Sequence, residues 1–117
     1  MAIFKVDCDG TLWEEDWPRI GRLFPEAINV MREIKQLGHT IIIDTCREGK
    51  FLEEALATLK YYNIPYDYTN ENVPWLIEQY GDCRKISCDW SVDDKNIGKW
   101  TWDDVLETAR RLAWEKI

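Results

Sequence analysis

At 117 residues the chain has the length of one domain, 1–117, and leaves no room for a second. Its hydrophobic share of 45% is ample for a packed core, and its seven tryptophans are too many for all of them to be fully buried. A net charge of −7, from 22 acidic against 15 basic residues, argues against nucleic acid as a partner and suits a divalent cation instead.

The first residues, Met1-Ala2-Ile3-Phe4-Lys5-Val6-Asp7, lack the basic-then-apolar layout of a leader, and no apolar run approaches a bilayer's width. The expectation is a soluble, cytoplasmic protein with no membrane partner. Its four cysteines, Cys8, Cys46, Cys83 and Cys88, would then be reduced, and none forms a C-x-x-C pair.

Ile3-Phe4-Lys5-Val6 reads as a first strand ending at Asp7, and residues 10–23 as a loop or short hairpin. Pro25 fits the first position of a helix whose apolar residues, Phe24, Ile28, Met31, Ile34 and Leu37, recur at spacings of three and four before Gly38 stops it. Ile41-Ile42-Ile43 is the β-branched run of a strand buried on both faces, and it runs into Asp44-Thr45-Cys46-Arg47. A second helix follows Gly49, with Phe51, Leu52, Ala55, Leu56 and Leu59 on one face until Asn63-Ile64-Pro65 breaks it. The sequence then predicts a weak third strand over 66–69, a short helix over 73–80 stopped by Gly81, and a fourth strand over 88–92. Thr101 with Asp104 makes a capping-box start for the last helix.

Strands alternating with helices predict a three-layer, Rossmann-like α/β fold, a parallel sheet of about four strands flanked by helices. Ligands of such sheets bind beyond the carboxyl ends of the strands, where strand order switches. Asp7 and Asp9 end the first strand, Thr45 the second, and Asp93-Asp94 the fourth. That coincidence points to chemistry more strongly than any one motif. Singly, each has a plainer reading: an acidic turn, a helix cap, a solvated surface charge.

Jointly the motifs resemble the haloacid dehalogenase superfamily. Asp7-Cys8-Asp9-Gly10-Thr11 after an apolar strand is similar to its first motif, and Ile41-Ile42-Ile43-Asp44-Thr45 to its second. Lys85 fits the basic residue ahead of the fourth strand, and Val92-Asp93-Asp94 the closing acidic pair. The wording around Trp17-Pro18-Arg19 and Asp93-Asp94-Lys95-Asn96 further resembles small capless members of that superfamily. A signalling receiver domain carries its acidic pair on the first strand and its Lys last, which is the reverse of the order here.

The resemblance implies a Mg²⁺-dependent phosphomonoester hydrolase. Asp7 would attack phosphorus and form an aspartyl-phosphate, with Asp9 as general acid and base. Asp7, Asp94 with Asp93 beside it, and the Asp9 carbonyl would hold Mg²⁺. Thr45 and Lys85 would bind and neutralise the phosphoryl group, helped by backbone N–H groups around Cys46. Arg47 and Arg19 are candidates for the rest of the substrate. An acid at Asp9 implies a phosphatase, because the dehalogenases of this superfamily lack one there.

Neither 10–23 nor 70–85 has room for a cap domain, so the expected site is open. An open site can accept one end of a large substrate or borrow walls from a second copy in a homo-oligomer. A small-molecule phosphate ester, such as a nucleotide or sugar phosphate, is the expected partner. The alternative is a non-catalytic module that sequesters or senses a phospho-ligand in the same pocket.

Overall fold

The computed structural model describes residues 1–115. Its elements in chain order are β1 (Ile3–Val6), β2 (Trp13–Asp16), β3 (Arg19–Leu23), α1 (Pro25–Gln36), β4 (Thr40–Ile43), α2 (Gly49–Tyr61), β5 (Tyr68–Thr69), α3 (Pro74–Tyr80), β6 (Trp90–Val92) and α4 (Trp102–Glu115). Four strands form one parallel sheet in the order β5-β4-β1-β6, with β1 central. Ile41, Ile42 and Ile43 are all fully buried, although neighbouring strand residues point to opposite faces. Helices therefore cover both faces, giving the three-layer α/β arrangement.

The α1 stripe of Ala27, Val30, Met31 and Ile34 is buried, and α1 packs beside α4. Pro25 opens α1 as its composition predicts. At α4, Thr101 Oγ1 accepts the Asp104 N–H while the Asp104 carboxylate accepts the Thr101 N–H, the reciprocal pair of a capping box. His39 is a structural link: its Nδ1 accepts the Ala2 N–H at 3.0 Å, which leaves Nε2–H to donate to the Ala109 carbonyl at 2.8 Å.

Two strands are shorter than the sequence predicts, for one shared reason. The Asp67 N–H donates to the Ile41 carbonyl, but its carboxylate Oδ2, not its carbonyl, accepts the Ile41 N–H at 2.8 Å. Asp89 does the same with Ile3: its N–H reaches the Ile3 carbonyl and its Oδ2 accepts the Ile3 N–H at 2.7 Å. An aspartate side chain thus replaces a ladder bond at the start of each edge strand, and regular pairing begins only one residue further on.

Residues 10–23 fold into the antiparallel β2–β3 hairpin, the second of the two forms the sequence allowed, with Trp17-Pro18 at its tip. Gly21 lies against the Glu14 carbonyl, where a Cβ would sit 1.9 Å from the oxygen. No helix among the described residues is long and apolar enough to cross a membrane.

Candidate active site

The chain builds β1, β4 and β5 outward on one side and then places β6 on the other side of β1, so strand order switches between β1 and β6. The Asp7 N–H donates to the Val92 carbonyl at 2.9 Å, which levels the carboxyl ends of these two strands. As a result Asp7, Asp93 and Asp94 each offer a carboxylate oxygen within 4.8 Å of the others. Opposite vertices of a magnesium octahedron stand about 4.2 Å apart, so three hard oxygens this close could hold a small divalent cation after slight contraction. Gly10 permits the approach. It adopts φ +83°, and a Cβ on it would lie 2.2 Å from Asp94 Oδ2.

Burial, then the charge of Asp93 and the bond to Asp94, pushes the Asp7 carboxyl up to about 7. Burial also opposes ionisation of Asp94, but the bonds from Asp7 and Asp93 and the Lys95 charge outweigh it and hold its carboxyl below the usual range. Without a cation Asp7 is therefore the more readily protonated of the pair, and the Thr11 hydroxyl also donates to its Oδ2 at 3.3 Å. Cys8 beside it is buried, and that burial together with the Asp7 charge pushes its thiol far up, so it is a packing residue.

Asp9 is held differently. Arg47 Nε donates to its Oδ2 and Nη2 to its Oδ1, both at 2.7 Å, and Trp13 Nε1–H donates to Oδ1 at 2.9 Å. Burial disfavours the charge on Asp9, yet these bonds prevail and its carboxyl sits below the usual range. The Arg47 side chain is 1% exposed. Its remaining N–H groups donate to the carbonyls of Pro18, Arg19 and Phe51, and its guanidinium lies 5.0 Å from the Trp17 ring centroid. All five donors of the fork are committed, so Arg47, read from the sequence as a substrate contact, instead ties Asp9, the hairpin tip and α2 together.

A cleft of about 260 Å³ opens above these residues, with Asp7, Asp9, Glu15 and Thr45 on its walls. Trp17, Cys46, Arg47 and Lys95 complete it. Thr45 is oriented by two bonds: its N–H donates to Asn70 Oδ1 at 2.8 Å, and its Oγ1 accepts the Arg47 N–H at 3.1 Å. Two of the sequence candidates lie elsewhere. Arg19 is 78% exposed and pairs with Asp16 on the hairpin. Lys85 lines a separate depression with Lys5, Cys88 and Asp89. Asn72 fixes the Lys85 loop: its Nδ2 donates to the Cys83 and Lys85 carbonyls and its Oδ1 accepts the Ser87 N–H. No motif marks Lys95 or Glu15, although Lys95 directly follows the acidic pair.

Fold and site together define a three-layer α/β protein with an acidic cluster at the switch point of its sheet. A search of solved structures finds a match to a conserved protein from Bacteroides thetaiotaomicron, at a TM-score of 0.84 and 30% identity, covering 95% of this chain and 91% of that one. The chain belongs to the same family as that protein. Scans against family models and curated proteins give no match.

Proposed function

We propose that this protein is a Mg²⁺-dependent phosphomonoester hydrolase of the haloacid dehalogenase type, with Asp7 as the nucleophile. The observation that carries this reading is the convergence of the Asp7 carboxylate with those of Asp93 and Asp94, which lie 86 and 87 residues further along the chain, to within 4.8 Å. Nothing in packing requires three acids to meet, and their mutual repulsion opposes it. Asp7, Asp93 and Asp94 would hold Mg²⁺, which supplies positive charge against the repulsion between a carboxylate and a phosphate dianion.

In the first half-reaction an Asp7 oxygen bonds to phosphorus as the ester P–O bond breaks, and the leaving oxygen departs with the electron pair and takes a proton from solvent water. In the second, water attacks phosphorus, the Asp7–phosphorus bond breaks, and inorganic phosphate leaves. The Arg47 and Trp13 bonds keep Asp9 ionised, which suits it to take the proton of that water. Thr45, oriented by Asn70 and the Arg47 N–H, lines the cleft, and its hydroxyl would turn from the neighbouring Cys8 thiol to donate to a phosphate oxygen.

A panel of phosphomonoesters, assayed with Mg²⁺ and with a chelator, tests the reading. Turnover of at least one class with Mg²⁺ alone supports it. Tight binding of phospho-ligands with no turnover favours the sequestering module instead.

The proton on Asp7 also makes stability depend on pH. The unfolded carboxyl ionises near pH 4, whereas the folded, cation-free one keeps its proton up to about 7. Between those values the folded state binds more protons, so raising the pH favours unfolding. The melting temperature in chelator is expected to fall from about pH 5 to about pH 8, and Mg²⁺ to raise it more at the upper end. A cation-free melting temperature that climbs over this interval would refute the assignment.

A further inference from the structure

We propose that Lys95 is the side chain that meets the phosphoryl group, the part expected of Lys85 from the sequence. The inference rests on the phosphoryl-transfer reading and names the cation that such a site requires. A phosphate dianion entering the cleft faces the carboxylates of Asp7, Asp9 and Glu15 on its walls and Asp94 beside them. It needs a cation free to approach it.

Among the described residues, two cations line this cleft, Arg47 and Lys95. Arg47 has no donor to offer: its five N–H groups go to the two Asp9 oxygens and to the carbonyls of Pro18, Arg19 and Phe51. The Lys95 ammonium has three donors, and among the described residues it meets only Asp94 Oδ2, at 3.4 Å. Its side chain is 78% exposed, so that pair is weakly held and the ammonium can turn toward a ligand.

The base of the Lys95 side chain is nonetheless fixed. Its N–H donates to Asp93 Oδ1 at 2.9 Å, and the Asn96 Nδ2 donates to the Asp93 carbonyl, so the turn bearing Lys95 is tied to the acidic pair. The Asp93–Asp94 pair and the ammonium therefore come to the cleft on one hydrogen-bonded turn. Lys85 has no such link, because Asn72 pins its loop at the other depression.

The test uses Lys95→Met and Lys95→Arg in the full chain. Inorganic phosphate binding is measured by calorimetry in Mg²⁺, and kcat and KM with p-nitrophenyl phosphate. Lys95→Met is expected to weaken phosphate binding and lower kcat/KM by about 10- to 100-fold each, through loss of a charge-assisted bond. Lys95→Arg should restore most of both. Mg²⁺ affinity should hold or tighten in Lys95→Met, because a competing ammonium beside Asp94 is gone, and a merely structural lysine would not separate the two affinities in this way.

Phosphate affinity and kcat/KM unchanged in Lys95→Met overturn the proposal, as does the same loss appearing in Lys85→Met instead. If Asp7→Asn abolishes turnover while Lys95→Met leaves it intact, the Lys95 assignment alone falls. If the wild-type protein neither binds phosphate nor hydrolyses the ester, the phosphoryl-transfer reading falls with it.

Discussion

Replacing Asp7 by Asn is expected to abolish phosphoester turnover, by about four orders of magnitude or more, and to leave the protein as stable as before or more so. An amide of the same shape has no nucleophilic oxygen to form the phosphoryl intermediate. The stability half of the prediction comes from the carboxyl's surroundings. Burial and the neighbouring Asp93 and Asp94 push Asp7 up to about 7, so its charge is resisted by the fold. A neutral side chain relieves that opposition and can still accept the Thr11 hydroxyl. Turnover on the best substrate of the panel and thermal melting at about pH 8 in chelator check both halves. Residual turnover near the wild-type rate, or a clear loss of melting temperature, would each count against Asp7 as a nucleophile kept at a cost to stability.

The second large effect is expected at Arg47, and there it falls on stability. Arg47→Met leaves the part-buried Asp9 carboxylate without its bidentate partner, which is itself buried, and strips a donor from the carbonyls of Pro18, Arg19 and Phe51. Breaking a buried ion pair from one side costs about 3–5 kcal/mol, a large share of a small domain's total. Denaturant unfolding measures it. Arg47→Lys should recover little, because an ammonium has three donors and cannot reproduce the planar fork. Adding Asp9→Asn to Arg47→Met should recover part of the loss, since no unpaired charge then remains. A loss within about 1 kcal/mol, the range of an exposed pair, would contradict the buried-clamp description.

Much of this architecture is legible in the residues. The three- and four-residue spacing from Phe24 to Leu37, the Ile41-Ile42-Ile43 run and the Thr101–Asp104 box each act locally, and each forms the element its pattern predicts. The sequence predicts longer edge strands because Asp67 and Asp89 read as ordinary strand residues, while their carboxylates take over ladder bonds only when the neighbouring strand is in place. The meeting of Asp7 with Asp93 and Asp94 has no local signature. It follows from the sheet placing β6 beside β1, so motif order could suggest it but periodicity could not.

Arg47 and Lys95 were beyond the sequence for a related reason. The role of Arg47 depends on the hairpin tip folding back until the Pro18 and Arg19 carbonyls reach its guanidinium. Lys85 and Lys95 are both exposed lysines flanking β6, and only the Asn72 anchor of one and the Asp93 turn of the other separate them. One signal was present in the chain: Trp13 lies four residues after Asp9, and its indole N–H reaches that carboxylate across the start of the hairpin.

The most direct test of the account is an anomalous difference map from a crystal of the protein soaked with Mn²⁺ as a stand-in for Mg²⁺. One strong peak is expected at the carboxyl ends of β1 and β6, within bonding distance of oxygens from both Asp7 and Asp94. A peak at any other acidic group, with none between these two, would contradict it.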